Sequence, residues 1–417
     1  MSCIILLFFI FSLSFGGVRV QEYSLQNGVK VILKETQGKG IVSGVIFIRS
    51  GTYGEEKRGI TNLMASLLTK GTKSYNSYEI ASAFEDYGGS IYASTSDDYV
   101  EIGFSTKVEG LKRALNVIRS LLTEPSFSQE DIEREKKNVL QAIRSRKERG
   151  HELASDVLRG ITYKGSNYEV GPLGLEEDVK AIGREDIVKR WKEVLRSRNV
   201  VVSMVGDFKV EEVLPLLEEV FSALPEGEYK VRPKDVPMVE SLRERVKRPG
   251  SQATVLCAFD APDFKTEEYF AFKVLDSVLG NGMTSKLFKE LREKKGYAYA
   301  VYSTYPTRLS SPRLMAYIGT SPEKKEDALR DMIEVVGKAQ IDPEDVELAK
   351  NKIIGDFLLA HQTRARQAWY LGFFEVMGFG WRMDQEYPER IRAVGFEDVK
   401  RLREKYLKIH HCVVVEP

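Results

Sequence analysis

The run ELREKKGYAYAVYS, residues 290–303, places an arginine and a tyrosine where a helical pattern turns back into a strand. Arg292 stands in the last turn of the helix, Gly296 breaks it, and Tyr299 opens an alternating stretch. Such a reversal can bring side chains seven residues apart to one place. A guanidinium and a phenol held together form a fixed cation and a donor, which stabilise a carbonyl oxygen as it gains negative charge. A plain structural explanation covers the same residues: Arg292 balances the negative end of a helix and Tyr299 packs in a sheet. Spacing alone leaves both readings open.

Other candidate chemistry is sparse. The chain has four histidines. His151 opens HELAS, where a thermolysin-like zinc motif needs a second histidine at the position held by Ser155. His410 and His411 adjoin Cys412, but neighbours on a strand point to opposite faces and cannot easily converge on one metal. His361 has no ligand partner nearby in sequence. LGNGMTS, residues 279–285, has glycines before a helix but lacks the Lys-Ser/Thr ending of a phosphate loop.

The elements that must position these residues occur twice. With Ala114 aligned to Ala328, an offset of 214 residues, GLKRALNVIRSLL matches KKEDALRDMIEVV. An acidic helix start follows each: SQEDIEREKKNVL from Ser128 and DPEDVELAKNKII from Asp342. Two copies make a tandem domain pair. Strands are predicted at NGVKVILKE, SGVIFIRSG, IYASTS, YVEIGFST and NVVVSMVGDF in the first half, and at ATVLCAF, YAYAVYSTY, RLMAYIG and HHCVVVEP in the second. Long helices are predicted near 107–123, 128–158, 265–279, 284–294, 323–338 and 343–377. Strands and helices mix without regular alternation. The pattern implies an α+β fold of two homologous α/β sandwich domains, each a mixed, mostly antiparallel sheet covered by helices. The expected divisions are a signal peptide at 1–19, a first domain at 20–225, a linker at 226–247 and a second domain at 248–417. Four prolines and two glycines between 225 and 250 mark the linker.

At 417 residues and 42% hydrophobic content, two domains with sizeable cores are affordable. A net charge of +1, from 62 basic and 61 acidic residues, argues against a nucleic-acid binder. The apolar stretch Ile4 to Phe15 has the length of a signal-peptide core and is short for a membrane span. Export to a periplasm or the exterior is expected, with membrane attachment only if this segment stays uncleaved. Of the three cysteines, Cys3 leaves with the signal. Cys257 and Cys412 lie in apolar strands and are expected to be buried free thiols.

MTSKLFKELREKKGYAYAVYS (residues 283–303) resembles the second half of the pitrilysin/insulinase/mitochondrial processing peptidase superfamily. VGDFKVEEVLPLLEEVF from Val205, GPLGLEEDVKAIGREDIVKRW before it and GITNLMASLLTKGT (residues 59–72) resemble segments of its first half, so the likeness covers nearly the whole mature chain. The family binds catalytic zinc through an inverted motif, His-x-x-Glu-His, completed by a distal Glu; the Glu inside the motif activates water. The matching positions here are Asn62, Ala65 and Ser66, and the distal pair matches Glu135 and Ala142. Only Glu135 is retained, and a non-standard zinc site would need His151 or the C-terminal histidines to reach Asn62 and Glu135. The resemblance therefore implies a subunit that binds no cofactor of its own.

In the family, the half opposite the zinc presents an Arg and a Tyr to the substrate carbonyl and the tetrahedral oxyanion. Arg292 and Tyr299 match them. The resemblance thus implies a catalytic and substrate-binding pair in a chain that depends on a homologous zinc-bearing partner to hydrolyse peptides; a second copy of itself is the other pairing expected. Two rival expectations stand beside this: an inactive scaffold, like relatives built into respiratory complexes, and a peptide-holding protein that acts alone.

Overall fold

A computed structural model describes residues 19–417. The expected signal segment falls, apart from Arg19, outside the described residues. The first half contains strands β1 (Val20–Ser24), β2 (Lys30–Glu35), β3 (Ile41–Ile48), β4 (Ser90–Thr95), β5 (Val100–Lys107) and β6 (Val200–Gly206). Its helices are α1 (Ile60–Leu67), α2 (Ser77–Glu85), α3 (Leu111–Thr123), α4 (Gln129–Lys147), α5 (Gly150–Thr162), α6 (Glu176–Ala181), α7 (Arg184–Val194) and α8 (Val210–Phe221). The second half contains β7 (Leu242–Lys247), β8 (Ala253–Asp260), β9 (Ala300–Thr304), β10 (Arg313–Thr320) and β11 (His410–Glu416). Its helices are α9 (Glu268–Gly280), α10 (Lys325–Lys338), α11 (Pro343–Ala360), α12 (Arg364–Met377), α13 (Met383–Arg392) and α14 (Phe396–Tyr406).

The two sheets repeat one topology. The first runs β1-β2-β6-β3-β5-β4 and the second β7-β11-β8-β10-β9. In each, one parallel pairing (β2 with β6, β7 with β11) joins an otherwise antiparallel array. The 214-residue offset read from sequence relates helix starts as well, since α5 begins at Gly150 and α12 at Arg364.

The halves exchange a helix. Helix α12 of the second half lies on β3 and β6 of the first sheet, and α5 of the first half lies on β8 and β11 of the second. This explains why VVVSMVG in β6 is buried at every position: own helices cover one face and α12 covers the other. The cores merge accordingly. Val45, Phe47, Val201 and Val205 join the core of the second half. Ala154 and Leu158 of α5 pack with Leu256, Ala258, Val413 and Val415.

Five sequence expectations need correction. The helix predicted over 128–158 is two, parted at Glu148–Arg149, and that over 343–377 is two, parted at His361–Thr363, where Thr363 accepts from the Arg366 N–H and starts α12 afresh. The segment 284–294 begins as a turn and becomes a π-type helix at Phe288–Lys294. The linker ends before 242, because Leu242–Lys247 is a strand held by parallel pairing to β11. Cys257 and Cys412 are not free thiols. They are register partners on β8 and β11, with Cα atoms 4.1 Å apart, and form a disulfide.

The remaining linker is fastened down. The Tyr229 ring stacks on Tyr53 and its hydroxyl accepts from Arg190 at 2.8 Å. Further along, Ser310 donates to Asp235 at 2.5 Å, and the Val236 N–H to Ser311 at 2.7 Å. Among the described residues, no helix is long and apolar enough to cross a membrane.

Candidate functional site

The degenerate metal positions sit on α1 and α4, which pack against each other. Helix α1 is entered through Gly59 in the left-handed region (φ 96°), where a side chain would strike the carbonyl of Leu173. Glu55 caps it, accepting from the N–H groups of Gly59 at 3.1 Å and Thr61 at 3.0 Å. Burial pushes the Glu55 carboxyl up from its ordinary range. Arg190, almost fully buried, ties down the preceding loop through Ser50 Oγ and the carbonyls of Gly51 and Tyr53, each at 3.0 Å. The scaffold that would hold a metal helix in place is therefore intact.

Its ligands are not. Asn62 offers a neutral amide. Ala65 is buried and presents a methyl. Ser66 turns its hydroxyl back on its own helix, donating to the Leu63 carbonyl at 2.8 Å. On α4, Ala142 offers another methyl, and the carboxylate of Glu135 faces the Lys70 ammonium at 3.2 Å. One paired carboxylate among an amide, a hydroxyl and two methyls does not fit Zn²⁺, which takes three or four imidazole, thiolate or carboxylate donors. Among the described residues no group of three or more His, Cys, Asp or Glu could hold a metal ion.

The histidines offer no detour. His151 meets the Tyr302 hydroxyl at 2.9 Å and packs edge-on to Tyr317. His361 bonds Asp384 at 2.7 Å. His410 lies against Phe259, and His411 contacts Thr162 and the Glu240 carbonyl. All these partners lie away from α1 and α4, so the non-standard zinc site at Asn62 and Glu135 is not formed.

Arg292 and Tyr299 have a different character. Buried Leu291 anchors the π-type helix, and Gly296, at φ 60°, ends it. The Tyr297 N–H then caps the Leu291 carbonyl at 2.9 Å, and the Tyr299 N–H bonds the Gly319 carbonyl at 2.9 Å, entering the sheet beside β10. The Arg292 guanidinium lies over the Phe288 ring at 5.1 Å, outside the core. Tyr299 is 57% exposed. Among the described residues no hydrogen bond joins the two. Both side chains are exposed, and among the described residues neither the guanidinium nor the phenol makes a hydrogen bond.

Sequence reading missed the buried charges that bind the halves. Asp97, in the β4–β5 turn, takes Arg159 of α5 at 2.5 Å and Arg308 of the second half at 2.6 Å. Burial pushes the Asp97 carboxyl up, but the two guanidinium charges outweigh it and hold it below the usual range. Its neighbour Asp98 accepts from Tyr168 at 2.5 Å and from the Leu309 N–H at 3.3 Å, and burial pushes it up to about 6. Only the duplication, which demands an interface between halves, hinted at such a set.

Residues 30–172 match the family described as "Insulinase (Peptidase family M16)", and residues 181–353 match "Peptidase M16 inactive domain". The chain belongs to peptidase family M16. It is an M16 chain without the zinc motif. Relatives named uncharacterized zinc proteases include YmxG of Bacillus subtilis, 24% identical over 95% of this chain and 98% of that one. Another, from Mycobacterium leprae, is 24% identical over 94% and 90%. A structure titled as the peptidase M16 inactive domain from Pseudomonas fluorescens superposes with a TM-score of 0.89 at 20% identity, covering 96% of this chain and 98% of its own. A protease from Helicobacter pylori gives 0.88 at 20% identity over 96% and 100%. At these identities the superpositions establish the fold.

Proposed function

We propose that this chain is the zinc-free subunit of a two-chain M16 peptidase. The observation that carries the reading is the contrast between its two site elements. The ligand set on α1 and α4 is dismantled, while Arg292 and Tyr299 remain on a well-anchored turn with their polar ends exposed. A homologous partner supplies the zinc and the general base when bound. The residues of this chain bind and orient: the Arg292 guanidinium and the Tyr299 phenol O–H donate to the scissile carbonyl oxygen and to the oxyanion that replaces it. The substrate class is peptide, and nucleic acid is not a partner. An exported location suits the Cys257–Cys412 disulfide, since such bonds persist in oxidising compartments.

The test is affinity capture of the chain from its native host. Recovery in equal amount of an M16 homologue with an intact His-x-x-Glu-His motif, and peptide hydrolysis by the pair only, is the expected result. Recovery of the chain alone or with unrelated proteins overturns the proposal and leaves a scaffold or a peptide-holding protein.

A further inference from the structure

Strand β9, which follows Tyr299, is the edge of the second sheet and only five residues long. It has ladder support from β10 alone, and an edge strand of this length is the least secured part of a sheet. The missing support comes from α9. Asp276, half-buried, accepts from Ser303 Oγ at 2.6 Å with one carboxylate oxygen and from the Tyr305 N–H at 3.1 Å with the other. The main-chain carbonyl of Asp276 accepts a second contact from Ser303 Oγ at 3.1 Å. One turn earlier, Lys273 donates to the Tyr305 carbonyl at 2.5 Å. Contact at the helix end is closer still, for a Cβ on Gly280 would fall 2.1 Å from the Ser303 nitrogen. The Tyr305 hydroxyl donates to the Pro262 carbonyl and fixes the strand's far end.

A carboxylate drawn partly out of water is costly unless both its oxygens are satisfied. Here both are spent on β9 and the residue after it. Hydrophobic packing by Val301 would hold the strand against α9 but would not fix its register. Two acceptors facing Ser303 and Tyr305 do fix it, and Tyr299 lies on the same short run of backbone.

We propose that Asp276 is a positioning residue for Tyr299, holding β9 in the register that presents the phenol to substrate. The inference rests on the reading of Tyr299 as a substrate donor. An Asn at 276 keeps one acceptor and turns an amide N–H₂ toward the other donor, so Asp276→Asn loses part of the grip and Asp276→Ala loses all of it.

The experiment pairs hydrogen exchange of the full chain with steady-state kinetics of the two-chain complex. Backbone amides of residues 299–305 are expected to exchange about ten-fold faster in Asp276→Ala, with Asp276→Asn intermediate and the amides of α4 unchanged. The same variants should lower kcat by about ten-fold with KM unchanged, since positioning acts on the reacting geometry. Should Asp276→Ala fail to fold, Asp276→Asn and Ser303→Ala carry the test. Unchanged exchange at 299–305 overturns the inference, as does faster exchange with undiminished kcat. Full turnover in Tyr299→Phe instead overturns the catalytic reading of Tyr299, a separate outcome, because that variant leaves the Asp276 contacts in place.

Discussion

Ser203, on β6 of the first sheet, donates its hydroxyl to the carbonyl of Ala368 on α12 at 2.6 Å, across 165 residues of sequence. That bond marks where the second half's helix comes down on the first half's sheet. Gly372, one turn further, makes the approach possible: a Cβ there would lie 2.6 Å from both the Phe47 ring and Ser203 Oγ. Gly372→Ala is expected to destabilise the chain by about 1–3 kcal/mol through overpacking. Because α12 is shared between cores, urea unfolding followed separately in the two halves should shift together. A shift confined to one half would show that the exchanged helix does not couple them.

The buried acids predict an opposed pair of pH effects. The folded Asp97 carboxyl lies below its unfolded value, so its contribution is present above that value and is lost as pH falls. Asp98 is raised to about 6, so its contribution is present below the ordinary carboxyl range and is lost as pH rises through about 6. The groups facing Asp98 are Tyr168, Arg308, Asp97 and the Leu309 N–H. Asp98→Asn should therefore flatten the decline in stability between about pH 4 and pH 6, and leave the acid limb set by Asp97. Arg308→Ala strands Asp97 on one side and is expected to cost about 3–5 kcal/mol. Thermal melts across pH 3.5 to about 7.5 check both; an unchanged slope in Asp98→Asn refutes the assignment.

The disulfide predicts that the oxidised chain has no labelable thiol at Cys257 or Cys412. It closes a span of 155 residues, for which chain-entropy reasoning gives a stabilisation of about 2–5 kcal/mol. Cys257→Ser with Cys412→Ser should unfold at correspondingly lower denaturant. Quantitative alkylation of both cysteines in untreated protein would contradict the bond.

The α1–α4 scaffold predicts that metal binding can be rebuilt. Asn62→His, Ala65→Glu, Ser66→His and Ala142→Glu together restore a zinc donor set on helices whose cap, entry turn and loop are intact. The combined variant should retain about one zinc per chain after dialysis. It should melt lower than the parent without metal, because Ala65 is buried and a glutamate there needs a partner. Metal content no higher than in the parent would mean that α1 and α4 no longer hold ligand geometry.

What the sequence made legible and what it hid follow from range. Helix periodicity and the 214-residue repeat yielded the two domains and most elements, and the resemblance to the family located the empty ligand positions. Strand β7, LRERVK, is charged and exposed, so its strand character comes only from pairing with β11, far away in sequence. The Cys257–Cys412 bond needed the β8–β11 register, which no local signal carries. The breaks at Glu148–Arg149 and His361–Thr363 lack proline, and only Thr363, a cap, betrayed one of them. The helix exchange left a single trace, the apolar run of β6 interrupted by Ser203 alone, which requires cover on both faces.

Arg292 and Tyr299 bear the last prediction because their exposure separates catalysis from stability. Neither side chain is buried and, among the described residues, neither carries a hydrogen bond, so Arg292→Ala and Tyr299→Phe should melt within about 0.5 kcal/mol of the parent. Assembly with a zinc-bearing partner should persist. Loss of one oxyanion donor costs about 100- to 1,000-fold in kcat, the effect expected for each in the complex. If the two donate to one oxygen, the double variant should lose less than the product of the single losses. Unchanged turnover in Arg292→Ala would end the catalytic role of the pair, since a residue with its polar end in solvent has no structural duty through which a lost contribution could be hidden.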